Sequence, residues 1–243
     1  MHYALKTILP LLIFFTSCSG VERSEKGQDL PSTVKPVILT IKLTGAELEQ
    51  LAQVDANNFI KPSALRFYLS DFAYSDASGK FKVIRDAYLY DRELMGDTIQ
   101  LEIPDNAVSI RFGIGVPPGT NTGDPTVYSS KHPYSVKGSK GMHWGWSTGY
   151  RFIMFEGRRD SVSTGNFDEP YSFHTGTDSL YKVMTFALPG KFKDINLNID
   201  GTKFFQGIDL RTENATHTVG NPDLARRFTA NFAGAVSMDF TTE

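Results

Sequence analysis

Val108-Ser109-Ile110-Arg111-Phe112-Gly113-Ile114-Gly115-Val116, followed by Pro117-Pro118-Gly119, decides the fold class. Every second residue is apolar, the two-residue period of a strand with one face in a core. The Pro-Pro-Gly stop then removes backbone donors and ends the ladder. The same alternation recurs on both sides. Val37, Leu39, Ile41 and Leu43 share one face, as do Leu65, Phe67 and Leu69, and Ile99, Leu101 and Ile103. Ser75–Gly79 is a turn that leads to a strand through Phe81 and Val83, and further strands are predicted over 150–156, 181–188 and 193–199. Short strands between Gly/Pro turns predict a mainly β chain, an antiparallel β-sandwich-like single domain. Two helices interrupt it. Thr44-x-x-Glu47 has capping-box form before Leu48 and Leu51. Asn221-Pro222-Asp223 opens a short C-terminal helix on which Leu224, Phe228 and Phe232 recur every four residues.

Outside the strands, the first residues carry an address. His2 and Lys6 precede an apolar run, Ile8–Phe15, that is too short to span a bilayer. Phe15-Thr16-Ser17-Cys18 has the form of a bacterial lipobox. Residues 1–17 are therefore predicted as a lipoprotein signal, with Cys18 as the acylated first residue of the mature chain. The alternative, an ordinary cleaved signal, leaves Cys18 as a free thiol in an oxidising compartment. Residues 18–35 are predicted as a flexible tether and 36–243 as the β domain. The expected location is the bacterial cell envelope, lipid-anchored at the outer membrane or the periplasmic face.

Composition excludes several chemistries. The 243 residues carry a formal net charge of −2, with no basic footprint for nucleic acid. A single Cys leaves no intrachain disulfide, Cys-based zinc site or iron–sulfur cluster. Gly113-Ile114-Gly115 lacks the third glycine and the following helix of a phosphate loop. No Gly-x-Ser-x-Gly elbow is present.

The unusual stretch is 131–157. It holds both tryptophans, Trp144 and Trp146, two apart and so on one face of a strand, with His132 and His143 nearby. His174 follows Phe173, and His217 lies in Ala-Thr-His-Thr before the last helix. No two histidines have metal-motif spacing, so a metal site would gather ligands from distant segments. Imidazoles suit copper or zinc and do not decide between them.

One ordered set of motifs runs through the chain: Leu65-Arg66-Phe67-Tyr68-Leu69-Ser70, Phe112-Gly113-Ile114-Gly115-Val116-Pro117, His132-Pro133, Gly141-Met142-His143-Trp144-Gly145-Trp146, Gly149-Tyr150-Arg151-Phe152, Glu156-Gly157, Phe173-His174-Thr175-Gly176 and Thr216-His217-Thr218. Together they resemble the MbnP-like family of copper-binding envelope proteins, related to the CorA/MopE proteins of methanotrophs. The resemblance implies a non-enzymatic copper protein for acquisition, storage or handling. It implies copper as cofactor, with ligands from His132, His174 and His217, and either Trp144 or Trp146 beside the metal, oxidised to kynurenine. His143 stands where the family pattern would lead us to expect Tyr, and ranks last as a ligand. The implied partner is a di-haem c-type cytochrome peroxidase-like (MbnH-like) enzyme. The competing expectation is a metal-free β-sandwich adhesion or scaffold lipoprotein, whose aromatics face a protein or glycan.

Overall fold

A computed structural model describes residues 33–47, 50, 52–53, 59–94, 96–145, 147–160 and 165–242. Cys18, the signal segment, most of the tether, Leu48, Leu51 and Trp146 lie outside the described residues. In chain order the strands are β1 (Val34–Thr44), β2 (Ala52–Gln53), β3 (Phe59–Ser75), β4 (Phe81–Asp91), β5 (Thr98–Pro104), β6 (Ser109–Ile114) and β7 (His143–Gly145). Then come β8 (Gly149–Tyr150), β9 (Ile153–Asp160), β10 (Glu169–Thr175), β11 (Lys182–Ala187), β12 (Ile195–Asp200), β13 (Ala215–Thr216) and β14 (Val236–Phe240). A single helical turn, α1 (Pro118–Asn121), follows β6, and α2 (Pro222–Gly234) precedes β14. No helix among the described residues is long and apolar enough to cross a membrane.

The chain is mainly β and sandwich-like, with one short C-terminal helix. A four-stranded sheet runs β14-β12-β1-β5, and an eight-stranded sheet runs β11-β6-β3-β9-β10-β13 with β2 and β4 also on β3. Two pairings depart from the antiparallel expectation: β1 with β12, and β10 with β13, are parallel. Both join strands far apart in sequence, where the chain has room to return in the same direction. β1 starts at Val34, opposite Pro104, so the sheet takes in the last two tether residues. No helix starts at Thr44: it pairs with Asp200 as the last residue of β1, and Gly45 turns away at φ +69°.

The alternating faces predicted from sequence are the buried ones. Val37, Leu39, Ile41 of β1, Ile99, Leu101, Ile103 of β5 and Ile195, Leu197, Ile199 of β12 line one side of the smaller sheet. On the larger sheet, β9 puts Phe155 opposite Leu65, and β10 puts Phe173 opposite Phe155, so these rings share a face. α2 closes that face. Asn221 caps it by accepting from the Leu224 N–H, and Leu224, Phe228 and Phe232 are fully buried. Phe228 packs on Phe173 at 4.7 Å between ring centroids, and Phe232 on Phe67 at 5.1 Å.

The opposite face of the same sheet carries Tyr68, Met154, Glu156, Ser172 and His174, by the same registers. The long excursion from Gly115 to Phe152 folds over part of it. Tyr68 meets Tyr134 at 5.6 Å and Tyr150 at 5.8 Å, and its hydroxyl donates to the Pro133 carbonyl at 2.9 Å. The glycines that suggest a phosphate loop are packing positions. A Cβ on Gly113 would lie 2.0 Å from the Tyr181 hydroxyl, and Gly115, at φ +106°, leaves room for the Phe152 ring.

Candidate metal centre

His174 sits on β10 with only 6% of its surface exposed, and His217 follows the two-residue strand β13. The parallel pairing of Phe173 with Thr216 sets the next residues, His174 and His217, side by side. Their Nδ1 atoms are 3.1 Å apart and their ring centroids 4.7 Å. The turn that holds His217 is locked. Thr218 takes φ +59°, costly for a β-branched residue, and its hydroxyl donates to the His174 carbonyl at 3.1 Å and accepts from the Gly176 N–H at 3.0 Å. Burial pushes the His174 pKa below the ordinary imidazole value, and the carboxylate of Glu156, 2.5 Å from Nε2, pulls the other way.

Trp144 completes the group. The hairpin of β7 and β8 pairs His143 with Tyr150, which turns Trp144 to the other side of the ribbon. Its indole lies 6.0 Å from the His174 ring and 6.2 Å from the His217 ring. The Arg151 guanidinium stacks over it at 4.8 Å, while Arg151 N–H donates to the Met142 carbonyl at 2.7 Å. Outside these rings a cleft of about 530 Å³ opens, lined by Trp144, Thr148, Thr177, His217 and Val219.

The donor set suits a metal that accepts two imidazoles. Two nitrogens bound to one tetrahedral ion at about 2.0–2.1 Å stand about 3.3 Å apart, close to the observed 3.1 Å. Among the described residues no cluster of three His, Cys, Asp or Glu is arranged to hold an ion.

The structure brings together His174, His217 and Trp144. It does not bring His132 to them. His132 Nε2 contacts Asp86 of β4 at 2.7 Å, Nδ1 accepts from the Tyr134 N–H at 3.1 Å, and the ring stacks on Tyr128 at 4.5 Å. With both nitrogens engaged, it pins the excursion to β4. His143 is half-buried, edge-on to Tyr150 at 4.8 Å, with its pKa lowered by burial, on the opposite side of β7 from Trp144. Trp146 and Cys18 lie outside the described residues. Sequence reading gave no role to Arg151 or Glu156, although both lie in the quoted motifs. The one available signal for Glu156 was a carboxylate on an otherwise apolar run, Ile153-Met154-Phe155.

The comparisons agree with this architecture. No curated protein matches the chain. Among solved structures, MbnP from Methylosinus trichosporium superposes with a TM-score of 0.50 at 15% identity, covering 72% of this chain and 78% of that chain. At that identity the likeness speaks for the fold. The MbnP family model matches residues 35–219, from the start of β1 to just past His217. The match spans most of the sequence, and this chain belongs to the MbnP family.

Proposed function

We propose that this chain is a cell-envelope lipoprotein that binds copper through His174 and His217 beside Trp144, for acquisition, storage or handling of the metal, and that it is not itself an enzyme. The observation that carries the reading is two imidazole Nδ1 atoms 3.1 Å apart, with an indole against both rings at the edge of an open cleft. Imidazole nitrogen suits copper, which stands highest among the divalent first-row ions for such donors. Family membership supports copper over zinc. A bound ion would supply a redox-active centre. His174 and His217 would hold it, the stacked Arg151 orients the indole, and the cleft admits the metal. Trp144 is then the residue a di-haem MbnH-like partner would oxidise to kynurenine, whose ketone and aryl amine are ligands that indole lacks.

The test is copper titration of the purified chain beside intact-mass measurement of protein from its native host. Wild type is expected to bind one copper per chain. His174→Ala and His217→Ala are each expected to weaken binding at least tenfold, while His132→Ala leaves it unchanged and lowers stability. Copper binding that survives loss of both His174 and His217 refutes this site, and native protein without copper refutes the copper reading in favour of a metal-free binding module.

A further inference from the structure

We propose that Glu156 is a positioning residue that fixes the tautomer of His174, so that Nδ1 presents its lone pair toward His217. Its bearing on metal affinity rests on the copper reading above; its bearing on the proton does not.

A neutral imidazole has one N–H and one lone pair, and a neighbour decides which nitrogen holds which. Glu156 Oε1 lies 2.5 Å from His174 Nε2. A carboxylate oxygen accepts, so the proton belongs on Nε2. Ser172 Oγ, 3.2 Å from the same nitrogen, has a hydroxyl that turns either way and imposes no choice. Nδ1 is then left as an acceptor facing His217 Nδ1 at 3.1 Å. Without the carboxylate, the His174–His217 contact is satisfied equally well with the proton on either ring. Either way one Nδ1 carries the proton of this contact; with Glu156 in place it sits on the exposed His217, and the Nδ1 of the buried His174 is free for a metal.

The placement comes from the sheet itself. β9 and β10 pair Glu156 with Ser172 and Met154 with His174, so the carboxylate is the diagonal neighbour of the imidazole on one face. The Glu156 side chain is 37% exposed while that of His174 is 8% exposed. Its outer side fronts a separate cleft of about 560 Å³, lined also by Lys61, Ser63, Arg158 and Tyr171. The two clefts share no lining residue, and Glu156 lines this one and not the cleft beside Trp144 and His217. Carboxylate–histidine–metal chains of this kind orient the ring, and losing the carboxylate typically costs 10- to 100-fold in metal affinity.

The experiment is long-range ¹H–¹⁵N NMR on the full-length, histidine-labelled, metal-free chain, followed by copper(I) competition titration of the same samples. Wild type is expected to show His174 protonated at Nε2. Glu156→Ala is expected to show both tautomers and to bind copper(I) 10- to 100-fold more weakly. Glu156→Asp should recover part of the loss, and Ser172→Ala should leave both readouts unchanged. Thermal melts identify any variant that fails to fold, and Glu156→Met, of similar length but with no carbonyl or carboxylate acceptor, carries the test if Glu156→Ala does not fold. A wild-type proton on Nδ1, or the same tautomer in Glu156→Ala or Glu156→Met, overturns the proposal. So does a changed tautomer with copper affinity within twofold of wild type. If wild type binds no copper, the copper reading falls, and the NMR result alone decides what Glu156 does.

Discussion

Phe228→Ala tests whether α2 supports the site from behind. Phe228 is fully buried, and its ring meets Phe173 at 4.7 Å, Phe205 at 5.8 Å, Phe204 at 6.2 Å and Phe155 at 6.4 Å. Those four rings come from β9, β10 and the turn after β12, so the cavity has walls on separate, hydrogen-bonded elements that cannot close together. The loss should fall within the usual 3–5 kcal/mol for a buried Phe→Ala, at about 4 kcal/mol. With a urea m-value of about 2 kcal/mol/M, the midpoint drops by about 2 M. Phe173 precedes His174, so the slackened wall lies directly under the candidate ligand, and copper affinity should fall in the same variant. Phe228→Leu, which keeps most of the volume, should lose less than half as much. A midpoint shift below about 0.5 M at unchanged m would refute the reasoning, because the site would then have collapsed without cost.

Three further outcomes are expected. The Thr229 hydroxyl is buried in α2 without a hydrogen-bond partner among the described residues, so Thr229→Val should raise stability by about 1 kcal/mol in urea denaturation; destabilisation would expose an overlooked bond. Hydrogen bonds from the Ser78 hydroxyl and N–H, and then from Lys82, hold the Asp76 carboxyl at about 2. Its folded pKa is below the unfolded value of about 3.9, so its stabilisation is complete above that pH and is lost as pH falls through about 2. NMR titration should place it there, and Asp76→Asn should flatten acid unfolding between about pH 4 and 2; parallel curves would count against it. Finally, Cys18→Ala should move the protein from the membrane fraction to the soluble one, and unchanged membrane association would defeat the lipid-anchor expectation.

What the sequence revealed and what it hid separate along one line. Local periodicity is physical information carried by neighbours, and it located β1, β5, β6, β12 and α2, including the buried triplet Leu224, Phe228 and Phe232. Pairing between distant strands is not carried by neighbours. His174 and His217 are 43 residues apart and meet because β13 returns parallel to β10, a register no spacing rule encodes. His132, which stands in a plausible motif, is diverted by Asp86, 46 residues upstream on β4. Glu156 went unread for the same reason, since its partner lies across a strand pair and not along a helix face. Of the two tryptophans, Trp144 is turned by β7 and β8 toward the two imidazoles, and Trp146 lies outside the described residues.

Helix α2 and strand β14 are consecutive, joined at Ala235, yet they serve different sheets. α2 lies against β10 and β13 of the larger one, while β14 pairs with β12 of the smaller one. One short stretch of chain therefore rivets both layers, and it lies beyond residue 219, where the family match ends. A chain cut after His217 would keep the three clustered residues and lose the rivet. It would bare Phe67, Phe155 and Phe173 on one sheet and the β12 edge on the other, leaving sticky surface and an open strand for neighbours to pair with. The order of synthesis follows from this. Because the rivet is made after every other described strand, the layers can lock only once the chain through Phe240 has emerged.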